Sequence, residues 1–211
     1  MSTPTLPLPA RLLLVRHGQT AWNLRGLVQG QTDEPLDDQG RDQARRLGQR
    51  LSGMGLTALH SSDLSRAAET AALVGEATGL TPQLSAAWRE LNLGAAEGQT
   101  RVEALGDHAD MASAAALTDG PLASGAETWE QVQARVLPAL TDLLAAHPGE
   151  VVLLVGHGGS LKVLLAHLLG LDRAMVPRLS VGGNTGLSMV EFHHGEPRLV
   201  LLNDQGHLAD S

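Results

Sequence analysis

Two short segments of the chain are near copies of one another: LLVRHG (residues 13–18) and LLVGHG (residues 153–158). Each is an unbroken run of Leu and Val that stops at a polar end where a histidine precedes a glycine. Continuous apolar runs, as opposed to alternating ones, mark strands buried on both faces, the setting of a parallel sheet covered by helices. In an open sheet of that kind ligands bind outside the carboxyl ends of the strands, near the point where strand order reverses. Two strands that each deliver a histidine to this rim could set both on one ligand.

The segments between and around the two runs fit the same architecture. Asp37 is placed to cap a helix that continues to about Leu51 with Ala44, Leu47 and Leu51 on one face. Residues 56–63 read as a short strand and turn, 64–78 as a second helix, and 78–84 as a connection with a short strand near its end. A third helix runs from Glu127 to about His147 and buries Trp129, Val132, Val136 and Leu140, with Pro138 expected to bend it. A strand at 150–155 and a helix at 159–170 follow. The tail alternates GLSMVEF and PRLVLL around HHGE, a hairpin pattern. The predicted fold class is α/β: three α/β/α layers around a mostly parallel central sheet, helices on both faces, and a C-terminal hairpin. One domain spans residues 1–211, with 1–10 as a flexible leader and 91–127, the least regular stretch, as a lid-like insertion.

Composition narrows the partners. The chain has 211 residues, 43% of them hydrophobic and 18% charged, enough for one substantial core. With no cysteine, it has no disulfide, thiolate metal site or thiol nucleophile. A net charge of −8 and an aromatic content of 2% argue against nucleic acid and anionic membranes as partners. No run approaches the roughly 20 apolar residues of a membrane helix, and the N-terminus lacks the pattern of a signal peptide, so a cytoplasmic location is expected. His193 and His194 are adjacent in a strand pattern and so point to opposite faces; no metal site is read there or elsewhere, and no cofactor is implied. Lys162 is the only lysine, so bidentate recognition of an anion falls to arginine. An exposed edge strand could support a homodimer.

At the end of the first run, Arg16 could neutralise a dianion with its planar fork of donors, and a neutral His17 has a nucleophilic ring nitrogen. Gly18 would allow close backbone approach, and Thr20 and Asn23 add a hydroxyl and an amide. Together these would make a phosphate cradle with a nucleophile in its floor, although an Arg-His pair alone reads as a surface ion-pairing patch. Arg66, in the first turn of the second helix, is a second candidate for phosphate or a solvated helix residue. GHGG (156–159) leads into a helix whose first N–H groups could accept an anion beside His157, including that of Gly158; alternatively His157 is a turn residue bonded to backbone. Glu90 lies between apolar neighbours. Partial burial would suit it to proton donation, and a salt bridge with Arg89 is the plainer alternative.

Taken together, LVRHGQTAWN, SSDLSRAAETA, Glu90 with LGAAEG, GHGG and LNDQGHL resemble the histidine phosphatase superfamily in its phosphoglycerate mutase-like branch, from about residue 11 to 208. The resemblance implies that His17 attacks phosphorus and becomes a phosphohistidine, while Arg16, Arg66 and His157 hold the phosphoryl oxygens. Asn23 would join them, with Gln29 and Gly30 at the pocket edge, and Glu90 would protonate the departing oxygen and later activate water. Phosphoryl transfer asks mainly for positioning and positive charge, which two arginines and a histidine supply without a metal. His17 then needs its second ring nitrogen bonded to a backbone carbonyl. Two departures from the family pattern are Ala96, where tryptophan is common, and Thr128, where serine is usual after Glu127. Glu127 would either touch the pocket or begin the helix.

The resemblance leaves the acceptor open. A mutase must hold a bisphosphorylated intermediate and needs extra cations at the mouth, whereas residues 91–127 contain one arginine, Arg101, and no lysine. The reading is therefore a metal-independent phosphomonoesterase acting on a small phosphorylated metabolite, with a lid poor in charge that favours a neutral or partly apolar leaving group. The alternatives are a phosphoglycerate mutase and a phospholigand-binding protein without turnover.

Overall fold

The first apolar run forms β1 (Arg11–Arg16), in which Leu12 to Val15 are fully buried. In the computed structural model, which describes residues 8–106, 115 and 119–209, β1 lies inside a six-stranded sheet. Its parallel neighbour is the second run, β4 (Val151–Gly156), with Leu13 opposite Leu153 and Arg16 opposite Gly156. Beyond β4 lie β2 (Ala58–Ser62) and β3 (Gln83–Ser85), both parallel to it. On the other side of β1 the expected hairpin, β5 (Leu187–His193) and β6 (Glu196–Asp204), adds two antiparallel strands and makes the sheet mixed. The hairpin turn is His194–Gly195, both at positive φ, as two-residue turns between twisted strands require.

Side-chain alternation along β1 and β4 assigns the helices to faces. Leu13, Val15, Leu153 and Val155 pack under α2 (Asp38–Leu51) and α3 (Ser65–Thr78). Leu12, Leu14, Val152 and Leu154 pack under α5 (Trp129–Ala146) and α6 (Gly158–Leu168). Asp37 caps α2 through Gly40 N (2.7 Å), and Thr128 caps α5 through Gln131 N (3.2 Å), so the hydroxyl kept at position 128 has a local task. Helix α5 remains one element across Pro138. Two short helices, α1 (Ala21–Leu24) and α4 (Arg101–Leu105), lie near the carboxyl rim. Of the anticipated leader, residues 1–7 lie outside the described residues, while Leu8 O accepts Gly149 N (2.8 Å). Residues 107–114 and 116–118 of the anticipated lid also lie outside them. Among the described residues, no helix is long and apolar enough to cross a membrane.

The turn after β1 shows why its glycine is needed. Gly18 N donates to Thr70 Oγ1 (3.0 Å), and Gln19 is bound at both ends to α2 and its cap, through Gln43 Oε1 (3.0 Å) and Asp37 N (3.0 Å). A Cβ on Gly18 would lie 2.6 Å from Gly40 O, and one on Gly40 would lie 2.1 Å from Gln19 O. At Gly18 the backbone approaches the first turn of α2 closely, a structural reason for glycine that the sequence reading did not include. Gly40→Ala is expected to cost about 1–3 kcal/mol of stability by prising α2 from this turn, read as a lower urea midpoint at unchanged m-value.

Candidate active site

The β1–β4 ladder continues one residue past the strands, with His17 N donating to Gly156 O (3.0 Å). This brings the His17 and His157 rings to a centroid separation of 5.2 Å, both almost completely buried. A cavity of about 600 Å³ opens at this rim, and Arg16, His17, Arg66 and Glu90 line it. Nδ1 of His17 lies 2.7 Å from Gly18 O. A carbonyl only accepts, so Nδ1 carries the hydrogen and Nε2 keeps its lone pair. Burial, followed by the charges of Arg16 and Arg66, pushes His17 well below the usual imidazole range, against the pull of the Gly18 hydrogen bond. His157 is lowered in the same direction, first by burial and then by Arg66, His17, Arg16 and Arg135.

The two arginines are held through backbone carbonyls. Arg16 Nη1 donates to Gly182 O. Arg66, fully buried in α3, donates Nη1 to Thr32 O (2.8 Å) and Nη2 to Gly30 O (2.7 Å). Burial draws Arg66 down to about 10, which leaves it charged at neutral pH. The buried polar atoms without a protein hydrogen-bond partner among the described residues include Nε of both arginines and both ring nitrogens of His157. The two guanidinium Nε–H groups and the one N–H of a neutral His157 are donors that suit an acceptor-rich oxyanion, while Gln29 Oε1, also unpartnered, is an acceptor.

The start of α6 departs from expectation. Its N–H groups do accept an anion, but the anion belongs to the protein: Glu90 Oε2 accepts from Gly159 N (3.0 Å), and Oε1 from Ser160 N (3.0 Å) and Leu91 N (2.9 Å). A Cβ on Gly159 would lie 2.4 Å from Glu90 Oε1, so only glycine lets the carboxylate reach the helix end. This acceptor-only arrangement replaces the simple apolar burial expected of Glu90. Arg89 forms its ion pair with Asp63 instead (2.7 Å for each of two bonds).

Of the remaining candidates, Asn23, Gln29, Gly30 and Gly158 line the cavity, whereas Gly18, Thr20 and His157 do not, His157 sitting beside the His17 ring. Thr20 caps α1, accepting from Asn23 N (3.1 Å). Asn23 Oδ1 accepts Thr20 N (3.2 Å) and Asn184 Nδ2 (3.1 Å), so its own amide N–H groups are what it has to offer. Ala96 belongs to the buried core, and Leu91 and Leu93 form the cavity wall near it.

Several wall residues escaped the sequence reading. Asn184, in the glycine-rich turn before β5, donates to His17 O (3.1 Å). Lys162, 5% exposed on α6, and Arg101, on α4, both line the cavity. Glu97 accepts Gln31 N (2.9 Å), Thr32 N (2.9 Å) and Leu93 N (3.0 Å). It thereby shapes the loop whose carbonyls hold Arg66, at a place where Gly30 (φ +54°) leaves no room for a Cβ.

The fold is of the histidine phosphatase kind, and comparisons with known proteins agree. The histidine phosphatase superfamily (branch 1) model matches residues 12–205. The chain is 34% identical over 185 residues to the probable phosphoglycerate mutase GpmB of Enterobacter sp. (strain 638), covering 86% of this chain and 85% of that one. Among solved structures, a mycobacterial glucosyl-3-phosphoglycerate phosphatase in complex with VO3 is 36% identical with a TM-score of 0.82, over 92% of this chain and 98% of that one. Phosphoserine phosphatase from Entamoeba histolytica, in complex with 3-phosphoglyceric acid, is 31% identical with a TM-score of 0.81, over 94% and 99%. The chain belongs to the histidine phosphatase superfamily.

Two expectations follow from the site. Because the folded state holds His17 and His157 below their unfolded values, the stability they contribute is fully present above pH 6.5 and is lost as pH falls through their folded pKa values. Their imidazole NMR signals should show no protonation step near pH 6.5, and two ordinary titrations there would contradict the burial described. Glu97→Gln should weaken inorganic phosphate binding about tenfold by loosening the carbonyls around Arg66, measured by calorimetry.

Proposed function

We propose that this chain is a phosphomonoesterase that works without a metal, through a phosphohistidine on His17, on a small phosphorylated metabolite. The reading is carried by one observation: a neutral imidazole, its Nδ1 tied to Gly18 O, lines a cavity together with the buried Arg66, the half-buried Arg16 and a carboxylate. The superfamily membership supports it, as do the phosphatases among the solved relatives.

In this mechanism the Nε2 lone pair of His17 attacks phosphorus and the ester P–O bond breaks. Arg16, Arg66 and His157 donate to the phosphoryl oxygens as charge spreads over them, a fixed set of donors in a buried place. Glu90 supplies the proton that the leaving oxygen takes up. In the second half, water attacks the phosphohistidine, the N–P bond breaks, and Glu90 accepts the proton from water. Oε1 of Glu90 holds two backbone hydrogen bonds and Oε2 one, which leaves Oε2 room for the proton. Gly158 keeps that side open, since the nearest atoms to a Cβ built there are Arg16 Nε (3.9 Å) and Glu90 Oε2 (4.0 Å).

The second reading, a phosphoglycerate mutase, draws on the positions of Arg101 and Lys162. Arg101 comes from α4 and Lys162 from α6, and the cavity has both in its wall. Interconversion of phosphoglycerates stimulated by a bisphosphorylated cofactor would favour this reading over hydrolysis.

A screen of phosphomonoesters with wild type, His17→Ala and Glu90→Gln tests the proposal. His17→Ala should abolish turnover, and Glu90→Gln should lower it about 10²–10⁴-fold. Acid quenching during turnover should trap an acid-labile phosphoryl group on the wild type and none on His17→Ala. Turnover that survives loss of His17 would refute the mechanism.

A further inference from the structure

Glu90 belongs to no helix or strand; it sits between a 3₁₀ turn at Ala86–Trp88 and another at Gly94–Ala96. A general acid must be placed within hydrogen-bond reach of the proton it moves, so something has to fix this segment. The structure supplies a guanidinium. Arg135, on α5, donates Nη1 to Ala87 O (3.0 Å) and Arg89 O (2.8 Å), and Nη2 to Glu90 O (3.1 Å). Its Nη2 also reaches Glu127 Oε2 (2.8 Å), and its Nε reaches Glu127 Oε1 (3.1 Å). These five contacts match the five N–H donors of an arginine side chain. Both side chains of the pair are about four-fifths buried, each with 20% relative exposure.

Glu127 does more than balance this charge. Its Oε2 accepts Asn92 N (2.7 Å), and its own N–H donates to Asn92 O (2.8 Å). Residues 87–92 are thus gripped on both sides of Glu90 from the first half of α5 and the residue before its cap. The Glu90 carbonyl also accepts Gln31 Nε2 (3.0 Å). Its carboxylate is bonded to the start of α6. The backbone of Glu90 answers to α5 and its side chain to α6. Arg135 itself is not part of the cavity wall.

We propose that Arg135, oriented by Glu127, is a positioning residue for Glu90, setting the carboxylate where it exchanges a proton with the leaving oxygen. The inference rests on the reading of Glu90 as proton donor. A lysine at 135 keeps the charge but has three donors on one atom, so it cannot gather three carbonyls and a carboxylate in one plane.

A positioning defect has a signature that general loosening lacks. Protonation by Glu90 matters most for an alkyl phosphate, whose alkoxide is a poor leaving group, and least for 2,4-dinitrophenyl phosphate, whose phenolate departs unaided. Arg135→Lys should lower kcat/KM for glycerol phosphate about 10²-fold, while kcat/KM for the dinitrophenyl ester and competitive inhibition by inorganic phosphate stay near wild type. Glu127→Gln, which keeps the arginine, should give a smaller split in the same direction, and it carries the comparison if Arg135→Lys does not fold. Glu90→Gln is the reference. If it shows no split between the two esters, the proton-donor reading fails and the proposal with it. If Glu90→Gln shows the split while the Arg135 and Glu127 variants lose both activities equally, or lose neither, the proposal alone is overturned.

Discussion

The site depends on the register of one parallel strand pair. With Arg16 opposite Gly156, the residues that follow, His17 and His157, leave the sheet side by side. Side chains alternate along a strand, so a slip of one residue between β1 and β4 would turn the imidazoles to opposite faces. With leucine and valine on both faces of both strands, hydrophobicity alone does not oppose that slip; the close packing of one set under α2 and α3 and of the other under α5 and α6 does. The antiparallel β5 on the far side of β1 brings the chain back to the same rim, where Thr185 N meets Arg16 O (3.0 Å) and Asn184 reaches His17 O. One hydrophobic interior therefore fixes three separate stretches of chain around a single opening.

Local and overall charge are opposed. The chain carries a net charge of −8, yet among the described residues its cavity wall holds Arg16, Arg66, Arg101 and Lys162 against a single carboxylate, Glu90, already engaged with backbone N–H groups. The two innermost arginines donate to main-chain carbonyls, which fix a guanidinium without cancelling its charge. The same positive surroundings help keep both histidines neutral, so a field suited to an anion also preserves the lone pair on His17 that the proposed mechanism uses.

How far the sequence carries is set by whether the relevant contacts are local. Buried runs, caps and helix periodicity identified β1, β4, α2, α3 and α5 because Leu12–Val15, Asp37 or Trp129 and Val132 signal through their immediate neighbours. Histidines at the ends of two similar strands also pointed to a shared rim. The rest depended on distant partners. Asn184 meets a residue 167 positions away, and Arg135 meets carbonyls 45 to 48 positions away, with no local pattern to advertise either. The packing role of Gly18 was hidden for the same reason: a glycine after a strand is compatible with a ligand or with a helix, and Gly40 appears as its neighbour only once α2 is in place. The first turn of α6 had the form of an anion site, but its occupant, Glu90, comes from another part of the chain.

That last contact links chemistry to architecture. The carboxylate that the mechanism asks to gain and lose a proton is also the counter-ion of the helix that begins beside His157. A negative charge at a helix start is worth roughly 0.3–1 kcal/mol, and adding a proton to it withdraws part of that attraction. In the proposed mechanism, then, the carboxylate that exchanges a proton is also the one that anchors the start of α6, the helix that carries Lys162 and packs into the core through Val163 and Leu164.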